Sequence, residues 1–275
     1  MTTLDWPSLA LMATALAAAG FLSGFLAGLL GIGGGAVVVI TLYEAFRWIG
    51  VDDAVRMHLA TGTGLAIIAP TSLRSFMAHR ARGNADLPLV RRMAVPVVIG
   101  VGLGALVAGN SSGSALKWVW VVMGTFLATR MFLGRDDWRL GPDIPKSLAV
   151  EAYGVVLGAI SVLMSIGGGA YVVMLMTLYG RSLHQAVATS SGFGPLIAIP
   201  GMLGFMWAGW GQPQLPPGTI GYVSLAGAML AIPTGLLAGP IGARISHRLS
   251  KRRLELAFAI FMTLVVIRFL ASLLL

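Results

Sequence analysis

Two runs of three consecutive glycines, Gly33–Gly35 and Gly167–Gly169, are the residues whose type and spacing best suit chemistry. Glycine costs a helix interior about 1 kcal/mol relative to alanine, so three together mark a break. Backbone N–H groups at a helix start have no intrahelical partner and attract anions. Glycine also lets a ligand approach the backbone closely. Hydroxyl clusters follow each run, Thr61 and Thr63 after the first and Thr189, Ser190 and Ser191 after the second. Such hydroxyls can donate to a bound oxyanion, or bond their own backbone or a neighbouring helix. The chemistry is therefore anion binding by backbone amides and hydroxyls.

Other chemistries fit less well. Gly31–Ala36 matches the G-x-G-x-x-G/A dinucleotide fingerprint, with Asp52 at a ribose-contact distance. That fingerprint needs a strand inside a soluble βαβ unit, and here it lies within a long apolar segment. A Ser–His enzyme would pair Ser190 or Ser191 with His184, and activation needs the two within hydrogen-bond reach. Seven residues separate His184 from Ser191, about 10 Å along a helix axis. With no cysteine in the chain, disulfides, thiolate metal sites and thiol catalysis are excluded. No enzyme, cofactor or metal is expected.

Composition identifies the medium. Of 275 residues, 57% are hydrophobic and 11% charged, against about 25% charged in soluble domains; mean hydropathy is +0.86. No acidic or basic residue lies between Asp5 and Glu44, nor between His184 and Arg244. Since about 20 apolar residues cross a bilayer as a helix, the chain is expected to be a multi-pass membrane protein. Its net charge of +9 reflects basic loops rather than nucleic-acid binding. No basic residue precedes the first apolar run, so no cleaved signal is expected.

The chain is also duplicated. Gly31–Ala36 recurs as Ser165–Ala170, Thr41–Tyr43 as Thr177–Tyr179, and Ala60–Gly64 as Ala188–Gly192. Gly104, Ala105 and Arg130 match Gly242, Ala243 and Arg268 at one constant offset. Residues 1–140 and 141–275 therefore read as two membrane repeats forming one transport domain. Apolar segments run about 8–43, 54–78, 93–112 and 115–133, then 147–180, 184–208, 218–243 and 254–274. The first of each set is too long for one span and is expected to form two short helices. The spacings Gly20-x-x-x-Gly24-x-x-x-Gly28 and Gly100-x-x-x-Gly104 read as helix packing. Kinks are expected near Pro70, Pro195 and Pro200.

The basic clusters His79–Arg92 and Arg244–Arg253 read as inside loops, and the uncharged stretch 207–218 as outside. On that basis segment 54–78 runs inward and 184–208 outward, so the halves are inverted and both termini lie outside. The expected fold is all-α and integral to the membrane. It has two inverted-topology repeats, each a glycine-broken helical hairpin followed by three transmembrane helices. Arg74, Arg130 and Arg268 could attract anions, or snorkel to an interface; His58, Lys117 and His184 are the other ionisable residues in or near spans. No carboxylate lies deep in a span.

The segments Gly24–Ala36 and Gly158–Ala170, with Ala-Thr-Gly-Thr-Gly and Ala-Thr-Ser-Ser-Gly after them, resemble the TauE/SafE family of sulfite exporters over nearly the whole chain. That resemblance implies secondary transport of sulfite, sulfoacetate or other small anions across a bacterial inner membrane. One departure is that Val37–Ile40 and Tyr171–Met174 lack the proline that often follows the family's glycine run. An anion channel of the same fold is the alternative. The expected partners are a small anion and the lipid bilayer; a coupling ion such as H+ and a homodimer both fit the pattern.

Overall fold

The long first apolar segment of each half divides into two helices about its glycine run. In the computed structural model, which describes residues 6–30, 35–81, 85–133, 139–246 and 251–274, α1 (Trp6–Leu30) and α2 (Gly35–Trp48) flank the first glycine run. α6 (Leu148–Leu163) and α7 (Gly169–Leu178) flank the second. Between them come α3 (Asp53–Ala81), α4 (Leu87–Gly109) and α5 (Gly113–Leu133). After them come α8 (Leu183–Ala208), α9 (Leu225–Ser246) and α10 (Lys251–Leu274). Ten helices stand among the described residues. α4, α5, α8, α9 and α10 are long and apolar enough to cross a membrane. α3 and α8 run unbroken through Pro70, Pro195 and Pro200.

Two boundaries differ from the segments read in the sequence. α4 begins at Leu87 because Asp86 caps it, its carboxylate accepting from Leu89 N at 3.1 Å, and Pro88 suits the first turn. Arg91 and Arg92 therefore lie on α4 rather than in a loop. Residues 219–224 form a two-stranded hairpin instead of opening a helix. β1 (Thr219–Ile220) pairs antiparallel with β2 (Val223–Ser224). Gly218 and Gly221, at φ 80° and 51°, hold left-handed positions that a helix cannot contain.

Small residues decide which helices touch. A side chain at Gly20 would strike Ala231, and one at Gly24 would strike Gly235, so α1 and α9 lie backbone to backbone and parallel. α4 packs on α6 in the same way, with Gly100 against Val155, Gly104 against Ala159 and Gly158 against Val97. The packing reading of Gly20, Gly24, Gly100 and Gly104 agrees with these contacts. α3 and α8 run antiparallel at the centre: Gly62 faces Phe205, Gly201 faces Leu65, and Gly192 faces Phe76. α5 and α10 are also antiparallel, with Trp120 beside Phe269 and Arg252 donating to the Met131 and Phe132 carbonyls at 3.0 and 2.8 Å. The core includes Trp120, Tyr43, Phe46, Phe193, Phe205 and Phe269, all nearly inaccessible.

Candidate functional site at the helix breaks

α6 ends in a hydrogen-bonded turn with two reverse bonds. Ser165 N donates to Val162 O at 3.2 Å, and Ile166 N donates to Ser161 O at 2.9 Å. That pattern calls for a left-handed residue just past the helix, usually glycine. Here it is Ser165, at φ 50° and fully buried. A non-glycine residue in this region costs about 1–2 kcal/mol. Strain of this kind gathers at functional positions. The Ser165 hydroxyl has no hydrogen-bond partner among the described residues, and neither does the buried Ser161 hydroxyl one turn earlier.

The other elements converge on that turn. The start of α2 lies against it, because a Cβ at Gly35 would overlap Ser165 O and come 2.8 Å from Ile166 Cα. α3 contributes Gly64, where a Cβ would come 2.7 Å from Ser165 Oγ. α7 then begins at Gly168, which caps it at φ 73° with no side-chain cap. Its first N–H groups, from Gly169 onward, lack intrahelical acceptors. A Cβ at Gly167 would lie 3.5 Å from Gly194 of α8 and from Ile68 of α3, near the midpoints of both helices. Two helix starts and the unpartnered Ser165 hydroxyl thus lie halfway along the central pair, with the Ser161 hydroxyl one turn back on α6. Oriented amides and hydroxyls of this kind can hold an oxyanion.

Of the glycines proposed from sequence, Gly35, Gly167, Gly168 and Gly169 are at this turn, while Gly33 and Gly34 lie outside the described residues. The hydroxyl clusters are not brought together. Thr61–Gly64 lies beside Phe205 and Tyr222, and Thr189–Gly192 lies beside Asp86 and Phe76. Along α3 the two levels are fourteen residues apart, about 21 Å. Thr61 donates to Met57 O, Ser190 to Val187 O and Ser191 to Ala188 O, all within their own helix. Thr63 accepts from Ser224 N at 2.9 Å, and Thr189 accepts from Asp86 N at 2.9 Å. These two threonines latch the approaches to α9 and α4. No bond joins Ser190 or Ser191 to His184 among the described residues.

The arginines proposed to attract anions lie apart from the break. Arg74 is exposed on α3, and Arg130 is half-buried near the end of α5. Arg268 forms an ion pair with Glu44 at 2.8 Å. Lys117, 1% exposed, is paired with Asp53 at 3.0 Å and lies 5.3 Å from the centre of the Tyr43 ring. The Tyr43 hydroxyl donates to the same carboxylate at 3.1 Å. His58 is buried, stacked on Tyr222 at 4.7 Å, with Nε2 between the Ala108 and Ser111 carbonyls. Sequence reading passed over Ser161 and Ser165. One signal was available: Ser165 stands where the first half has Gly31.

Long apolar helices packed through glycine around a pair of interrupted ones define a multi-pass membrane protein. The sequence profile of the family described as sulfite exporter TauE/SafE matches residues 16–269, and the chain belongs to that family of membrane transporters. It is 32% identical to a Haemophilus influenzae protein named "Probable membrane transporter protein", over 90% of this chain and 94% of that one. Proteins with the same style of name from Methanocaldococcus jannaschii and Bacillus subtilis are 27% and 23% identical. They cover 86% and 88% of this chain, and 87% and 93% of their own lengths. No solved structure matches the chain.

Proposed function

We propose that the chain is a secondary transporter of small oxyanions, sulfite or related organosulfur anions, whose site is the turn where the two helix breaks meet. The observation that carries this reading is the buried, unpartnered hydroxyl of Ser165 beside the starts of α2 and α7, with that of Ser161 one turn earlier on α6. A buried hydroxyl without a partner is costly, and an oxyanion acceptor would satisfy both. Gly35, Gly64 and Gly167–Gly169 keep the backbone open to it. This site takes only part of the residue set proposed from sequence. Thr61, Thr63, Thr189, Ser190 and Ser191 act instead as helix and loop fastenings.

The repeat reading belongs with this proposal. α3 pairs with α8, and α5 with α10, each pair antiparallel, as matching helices of inverted halves would be. α1 packs on α9 as α6 packs on α4, the same contact with the halves exchanged. Inverted repeats around a midplane site of broken helices suit alternating access. The setting we assign is a bacterial inner membrane, with basic loops inside.

The test is flux of sulfite and sulfate into proteoliposomes, comparing the natural protein with Gly35→Val and Ser165→Ala. Saturable uptake that folded variants lose is the expected result. Unsaturable, channel-like currents, or unchanged binding in both variants, would count against the reading. Repeating the assay with and without an imposed pH gradient identifies H+ coupling.

A further inference from the structure

A second feature lies between the break and the end of the bundle expected to face inward. A cleft of about 320 Å3 opens between the last turns of α3, the first turns of α4 and the middle of α8. Phe76, Val90, Ala94 and Pro195 form apolar walls, and Arg80 and Arg91 also line it. Both arginines are exposed, and neither forms an ion pair among the described residues. The neighbouring Arg92, by contrast, is committed to the Pro145 carbonyl at 2.9 Å. The cleft's floor at Gly192 and Pro195 flanks Gly194, whose Cα would lie 3.5 Å from a Cβ placed at Gly167 of the break.

The opposite end of the bundle differs. The matching offsets of the two halves carry Val90 and Ala94 of α4 onto Ala228 and Ile232 of α9. There Ala228 packs with Ala66 and Val223, and Met202, Met206 and Ile232 close over them. The β1–β2 hairpin is wedged in beside this cluster. Gly221 lies against Met206 O, and Tyr222 N donates to Phe205 O at 3.1 Å. One end is filled by side chains and a hairpin; the corresponding space at the other end is open.

We propose that the open cleft is the inner vestibule of the transport path, that Arg80 and Arg91 gather the anion there, and that the chain is captured open to the inside. This rests on the transporter reading. Two guanidiniums on different helices can hold a sulfonate, sulfite or phosphate oxygen set. Such chemistry could also come from an anionic lipid headgroup, since basic pockets between membrane helices bind them. A free anion is favoured because the cleft's floor flanks Gly194, beside the break at Gly167.

The chain has no cysteine, so single cysteines can report access directly. Ala94→Cys and Ile232→Cys would be exposed to a membrane-impermeant maleimide in intact cells and in inside-out vesicles. We expect Ala94→Cys to react from the inside only, and Ile232→Cys from neither side. Sulfate or sulfoacetate, which do not consume maleimide as sulfite does, should slow the Ala94→Cys reaction. Arg80→Gln with Arg91→Gln should abolish that protection and raise the KM for flux about tenfold with kcat retained, one charged hydrogen bond's worth. The double lysine variant should restore much of it. The proposal is overturned if Ala94→Cys is unreactive from inside, if protection survives the double glutamine change, or if it requires phosphatidylglycerol and vanishes in neutral phosphatidylcholine. If the natural protein moves no anion yet protection persists, the transporter reading fails and the anion site stands.

Discussion

Ser165 separates two properties that usually travel together, backbone conformation and side-chain chemistry. Its left-handed φ suits glycine, while its unpartnered hydroxyl suits a ligand. Ser165→Gly should therefore stabilise the protein by about 1 kcal/mol through relief of strain. It should also weaken anion binding about tenfold or more, a charged hydrogen bond being worth roughly 1.5–3 kcal/mol. Thermal unfolding in detergent and isothermal titration with sulfite would read the two effects independently. A variant that gained stability and kept its affinity would show the hydroxyl to be idle. Lys117 makes the complementary case. Asp53→Asn leaves a buried ammonium without its counter-charge. Because that carboxylate is itself 57% exposed, the cost is about 1.5–3 kcal/mol, that of a charged hydrogen bond rather than that of a fully buried pair. The paired change with Lys117→Met removes the buried charge as well. The single change should lower the unfolding temperature sharply, and the double change should recover most of the loss.

Glycine spacing reads differently at the level of the helix. Gly20, Gly24, Gly100, Gly104 and Gly158 lie under a neighbouring backbone. With lipid on all sides there is little hydrophobic drive between helices, so close backbone approach supplies the contact. Gly158→Val would force α6 away from Val97 and should destabilise the bundle by about 1–3 kcal/mol. Gly102→Val faces open space and should be nearly neutral. Comparing thermal unfolding of these two variants tests the packing, since equal effects would contradict it. The spacing separated the two kinds of glycine in the sequence, and the structure adds the geometry of the turn. Single glycines four apart pack helices, whereas three in a row interrupt one. What the sequence did not show is that α6 turns at Ser165, before the glycine run, with two reverse hydrogen bonds.

Across the whole molecule, the proposed inverted arrangement predicts sidedness. Ser112→Cys and Gln214→Cys, both on exposed connections, should label only from outside, and Lys146→Cys only from inside. Impermeant maleimide in cells and inside-out vesicles would check all three; Ser112 and Lys146 labelling from one side would end the inverted reading. Hydropathy and the glycine runs by themselves determined the membrane setting and the two-helix make-up of segments 8–43 and 147–180. These are local properties, set by how many apolar residues follow one another and by what three glycines do to a helix. Tertiary structure alone decided that the hydroxyl clusters sit about 21 Å apart, that Arg268 is spent on Glu44, and that Ser165 lies against the start of α2 and Gly64 of α3. It also decided that one end is closed by a hairpin while the other stays open. The reason is physical: a hydroxyl's partner and an arginine's freedom depend on which helix lies opposite. That neighbour is chosen by contacts between residues far apart in the chain.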